Sequence, residues 1–160
     1  MTKFLLAVHV LAVIIAVGPV TVAASMFPAA ARRALADPDD GPARAVLGTL
    51  HRICRVYASL GLVVPVFGLA TAASLGVLGD GWLLVSIGLT ALAAGVLVVL
   101  VLARQAAIVA GLDGAGTAPG PPEVLHGLAG RLAMHTGVFN LLWVTVTVLM
   151  IVRPGSTTGV

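Results

Sequence analysis

Apolar residues in this chain do not alternate with polar ones; they run together in four long blocks, at about 4–27, 56–78, 82–109 and 132–152. Each block reaches the roughly 20 residues a helix needs to cross a hydrocarbon core. Polar residues and chain breakers collect between them. The first block ends at Phe27-Pro28, followed by Arg32, Arg33 and the turn-rich stretch Asp37-Pro38-Asp39-Asp40-Gly41-Pro42. The second helix is expected to begin near Ala43 as an amphipathic section carrying His51, Arg52 and Arg55, and to kink at Pro65. Gly79-Asp80-Gly81 predicts a tight turn. Gly111, Gly114 and Gly116, then Pro119-Gly120-Pro121-Pro122, mark the end of the third helix. The fourth is expected to start near Glu123 and to stop at Arg153-Pro154-Gly155. The pattern predicts an all-α, membrane-spanning four-helix bundle, one domain over residues 1–160, with both termini on the same side.

Composition narrows the class. The chain is 59% hydrophobic and only 9% charged, against about 25% charged residues in a soluble domain. Too little polar surface exists to cover a globule in water, so the lipid bilayer is the expected partner. Lys3 and the small-residue stretch Ala23-Ala24-Ser25 resemble a signal peptide, but the first run is long enough to span, which predicts a retained helix. Of the nine basic residues, Arg32, Arg33, Arg44, Arg52, Arg55, Arg104 and Arg131 flank the first and third connections, and only Lys3 and Arg153 lie at the opposite side. The positive-inside rule then puts both termini outside and the two longer connections in the cytoplasm. The same placement makes these charges topology signals and phospholipid contacts rather than a nucleic-acid surface, and the seven aromatics offer no stacking platform for bases. Cys54 is the single cysteine, so no internal disulfide and no thiolate cluster can form.

Small residues predict the helix contacts. Gly61, Pro65, Gly68, Ala72 and Gly76 share one stripe of the second helix, and Gly88, Ala91 and Gly95 share one of the third. Such stripes let backbones approach in lipid, either within a bundle or at a subunit interface. Asn140, Thr145 and Thr147 on the fourth helix are expected to hydrogen-bond between helices.

Ionisable groups at membrane depth mark candidate chemistry. His9 lies in the first run with Ala12, Val13 and Ala16 on its face, a small and uncrowded surface. It suits a planar ligand such as haem, and equally a close helix contact that ties up the imidazole. His135 has Arg131 four residues earlier on the same face, an arrangement that fits an iron ligand and a propionate partner; the alternative is a snorkelling arginine and a histidine bonded across the bundle. His51 and His126 both lie near the arginine-rich boundary and are candidates to meet there over a metal; wet interfacial histidines are the plainer reading. His126 and His135 face opposite ways on a straight helix. His9 and His135 belong to opposite halves of the membrane, which weakens the simplest bis-histidine haem. All six carboxylates sit in connections or at helix ends, which counts against a proton-coupled transporter.

The first helix, KFLLAVHVLAVIIAVGPV, with Lys3, His9 and Gly18 in that spacing, resembles the first helix of bacterial proteins related to the copper-resistance protein D family and to the four-helix protoporphyrinogen oxidase family. The second helix, Trp82 and the ending LMIVRPG look most like a large set of uncharacterised four-helix integral membrane proteins. This resemblance implies His9 as a ligand for haem b or, alternatively, copper, in a redox or haem/copper-handling role. The oxidase-type family also carries a lysine beside the third helix, and this chain has no lysine after Lys3. The resemblance, with an Ala, Gly, Val and Arg-rich composition, implies the bacterial cytoplasmic membrane. The competing expectation is a non-catalytic accessory subunit of a larger membrane complex, or a homo-oligomer, docked through its small-residue stripes.

Overall fold

The computed structural model describes residues 1–113 and 122–155, with only the backbone of Pro122 and Glu123. The end markers Gly114, Gly116 and Pro119–Pro121 and the tail beyond Gly155 lie outside the described residues, as does the Glu123 side chain. The helices are α1 (Thr2–Ala36), α2 (Gly41–Leu60), α3 (Val63–Leu75), α4 (Gly81–Gly95), a π-helical section (Val96–Leu102), α5 (Ala103–Leu112) and α6 (Pro122–Val152). They join into four rods, Thr2–Ala36, Gly41–Leu75, Gly81–Leu112 and Val124–Val152, each long and apolar enough to cross a membrane.

The rods outrun the apolar blocks. α1 continues past Phe27-Pro28 to Ala36, with Pro19 and Pro28 inside it. A proline removes one i→i−4 bond, yet Ala24, Phe27, Pro28 and Ala31 are all buried, and packing against α2 holds the turn helical. At 35 residues α1 is about 52 Å long, some 20 Å more than a hydrocarbon core. Its excess lies at the end carrying Arg32 and Arg33. Asp40 starts α2 by accepting from the Ala43 amide at 2.9 Å. Here the expected amphipathicity holds: Leu47, Leu50 and Cys54 face inward while Arg52 and Arg55 are exposed.

The expected kink at Pro65 appears one turn earlier, as a break at Gly61-Leu62 between α2 and α3. Pro65 has no N–H for the Gly61 carbonyl, which instead accepts from Val64 N at 3.1 Å. The α3–α4 turn spans Gly76–Asp80: Gly76 takes φ 71°, which glycine adopts without steric cost, and Asp80 N donates to Val77 O at 3.0 Å. Arg153, at φ 46°, ends α6 where the sequence placed the stop.

The start of α1 and the end of α6 lie at one end of the bundle. Thr2 shares a hydrogen bond with Ser74, and the Arg153 guanidinium stacks 5.6 Å above the Trp82 ring, whose Nε1 donates to Asp80 at 3.0 Å. The opposite, arginine end carries Arg33–Asp40 and Arg44–Asp113 ion pairs. α1 is central: it packs on α2, α3 and α6, and α6 in turn packs on α4. The main core runs from mid-bundle to the arginine end, around Phe27, Leu47, Val101, Ile108, Leu132 and Phe139. A smaller cluster of Ala72, Trp82 and Leu83 closes the termini end.

The two small-residue stripes behave differently. On α3, Gly68 and Ala72 meet the bundle, as expected, whereas Pro65 and Gly76 are exposed. On α4, Gly88, Ala91 and Gly95 all face outward, so that stripe does not make the bundle. The π section follows it. Ala93, Leu97, Val101 and Gln105 are all buried, a four-residue spacing that drifts by roughly 40° per step on an α-helix. The wider π turn takes up that drift and keeps the four on one face.

Candidate functional site

His9 is buried between α1 and α3. Its Nδ1 lies 3.0 Å from the Val64 carbonyl oxygen. A carbonyl only accepts, so Nδ1 carries a proton, and in the neutral ring Nε2 is the nitrogen with the free lone pair. The ring rests on Gly68: a Cβ there would lie 2.9 Å from His9 Cε1 and 3.2 Å from Nδ1. Glycine is therefore required at 68 by the imidazole rather than by backbone conformation. Val64 and Gly68 stand one turn apart on α3, so a single helical face supplies both the acceptor and the space. Histidine ligands are commonly fixed in this way, with one ring nitrogen on a carbonyl and the other left basic. One turn further along α1, at Val13, begins a cleft of about 290 Å³ between α1 and α6, lined also by Val17, Thr21, Asn140 and Trp143.

The other candidate residues stand apart. His135 donates from Nδ1 to the carbonyl of Arg131 on its own helix, and the Arg131 side chain is exposed; neither turns into the core, and the expected bond across the bundle is not made. Ser25 bonds Asn140 at 3.1 Å, which sets the level of α1 against α6. His9 lies sixteen residues from Ser25 toward the termini end, and His135 five residues from Asn140 toward the arginine end. The two histidines are thus roughly 30 Å apart along the axis, and one haem cannot bridge them. His126 is exposed. His51 turns not to His126 but to Gln105, with Nδ1 3.2 Å from Oε1.

Gln105 was not anticipated. It is fully buried and also donates to Cys54 Sγ at 3.5 Å. His51 and Cys54, three apart on α2, converge on one α5 amide. The available signal was the position of Gln105, four residues beyond Val101 on the buried stripe. Of the expected interhelical donors, Asn140 reaches Ser25, but Thr145 and Thr147 bond the carbonyls of Leu141 and Trp143 on their own helix. A hydroxyl four residues from a helical carbonyl finds that acceptor without any neighbour.

Among the described residues no group of three or more His, Cys, Asp or Glu side chains is placed to share a metal ion. A bare copper ion at His9 would need further donors from the protein, whereas haem brings four ring nitrogens and takes as few as one protein ligand. Of the two, haem asks less of the chain: His9 offers one oriented imidazole, while the space above Gly68 is filled by the ring itself and the cleft, lined from Val13 onward on the α6 side, does not include His9. No known family, curated protein or solved structure matches the chain.

Proposed function

We propose that this protein is a multi-pass protein of the bacterial cytoplasmic membrane that binds haem b through Nε2 of His9, in a redox or haem-handling role, with both termini outside. The observation that supports this reading is the His9 tautomer, fixed by the Val64 carbonyl over Gly68. Haem held there would supply one-electron chemistry, and the chain's part is to orient the imidazole and to keep water from it with α3. The seven arginines at one end support the assigned topology. Copper is the second ligand to test, by metal analysis of the same sample.

The test is an absorption spectrum of detergent-purified protein, oxidised and dithionite-reduced. A Soret band that shifts on reduction is expected. A colourless, folded protein that also fails to take up added haem would end the haem reading.

A second reading, the accessory subunit, is favoured by one observation: Gly88, Ala91 and Gly95 face outward and leave α4 open to close approach by another helix. Substituting Ala91 with Phe is then expected to abolish co-purification with a larger complex while leaving the spectrum unchanged.

A further inference from the structure

At the arginine end, a cleft of about 400 Å³ lies between α1 and α2. Met26, Ala29, Ala30 and Arg33 line it from α1, and Ala43, Val46 and Leu50 from α2. The cleft has a polarity of its own. Arg33 stands at the mouth beside the α1–α2 connection, and from there to Met26 it runs about 10 Å toward mid-bundle between apolar side chains. Arg33 is 78% exposed, and its one acidic neighbour, Asp40, is 3.6 Å away. The other oxygen of Asp40 is committed to the start of α2. The terminal nitrogens of Arg33 donate to no described residue, in contrast to Arg44, which is bonded to Asp113 at 2.9 Å. Arg32, the neighbour of Arg33 in sequence, has no ion pair among the described residues, whereas Arg52 and Arg55 follow Leu50 on α2 and lie beyond the deep end of the cleft.

We propose that this cleft binds one anionic phospholipid from the leaflet at the arginine end, its phosphate on Arg33 and one acyl chain along Met26, Ala29, Ala30, Val46 and Leu50. A guanidinium matches a phosphate with paired donors. The Arg33 charge at the mouth favours an anionic lipid over a zwitterionic one, by about 1 kcal/mol for one basic residue near the surface. Charge at the mouth and hydrocarbon toward the centre is the order a lipid in that leaflet presents. The site lies at the opposite end of the bundle from His9 and stands independently of the haem reading.

Native mass spectrometry of the delipidated full chain, with phosphatidylglycerol and phosphatidylcholine of matched acyl chains, tests the proposal. Wild type is expected to retain phosphatidylglycerol roughly fivefold better, the equivalent of one arginine's share. Arg33→Gln should bring the two lipids to parity, Arg32→Gln, which changes net charge equally, should not, and Ala29→Phe should lower lipid retention by filling the cleft. Excess glycerol phosphate should displace nothing. Parity in wild type, equal loss in both arginine variants, or displacement by glycerol phosphate would overturn the site. So would a dimer that Ala29→Phe dissociates, since the cleft would then belong to a second copy of the chain.

Discussion

Around Phe27, Leu47, Ile108 and Leu132, side chains from all four rods close the arginine half of the bundle; around His9, the ring lies between α1 and α3, and among the described residues α3 packs extensively only on α1. Each half holds a histidine directed into a helix contact, and the two differ in the partner they meet. His51 bonds the amide of Gln105, which also reaches Cys54, so it belongs to a side-chain network set in dense core. Such a network specifies how α2 meets α5. His9 bonds a backbone carbonyl, which cannot move away or change protonation, and its second nitrogen remains available. The contrast lies in the partners: His51 shares a side-chain amide with Cys54, while His9 is held by a backbone carbonyl over a glycine.

Substitutions should separate the halves in order of effect. Phe27→Ala removes a fully buried ring from the closed half and is expected to cost about 3–5 kcal/mol, read as a large fall in thermal midpoint in detergent; a small fall would mean that α1 is held chiefly at its termini end. Gln105→Ala strands the Cys54 thiol and His51, at about 1–3 kcal/mol. Maleimide should then label Cys54 faster than in wild type, and unchanged labelling would deny the network. In the open half, Gly68→Ala drives a Cβ into the His9 ring. A stability loss of about 1 kcal/mol is expected, with haem binding lost out of proportion to it; intact binding would show that Gly68 does not position the imidazole. His135→Ala removes a side chain bonded only within its own helix and should shift stability by less than about 0.5 kcal/mol, leaving any Soret band unchanged.

The four rods were legible because an apolar block of spanning length has few alternatives. Inward faces were legible only where water lies on the other side. In α2, the polar side of the expected amphipathic section, with Arg52 and Arg55, is exposed, and Leu47, Leu50 and Cys54 form the buried side. Within the spanning segments both the bundle interior and the lipid are apolar, so no contrast in hydropathy tells one face from the other. That is why the sequence left the Gly88–Ala91–Gly95 stripe open between bundle and subunit interface, where the structure turns it outward, and why His135 gave no sign that it would fold back on its own helix. His9 was legible as a buried ionisable group. Its partners were not, because Val64 contributes only a carbonyl, and Gly68 an absence of side chain. The π section left no residue-type signal: Val96–Leu102 is a plain apolar run, and its wider turn answers a packing requirement set by α6 and α2.

The claim that His9 is a ligand, and not merely a wedge between α1 and α3, is tested most directly by chemical rescue. In His9→Gly the imidazole is removed while Val64 and the space above Gly68 remain. The account predicts that the Soret band of the wild-type protein disappears in this variant and returns when free imidazole is added. A band that survives the substitution, in a protein with an unchanged thermal midpoint, would contradict it and return His9 to a packing role.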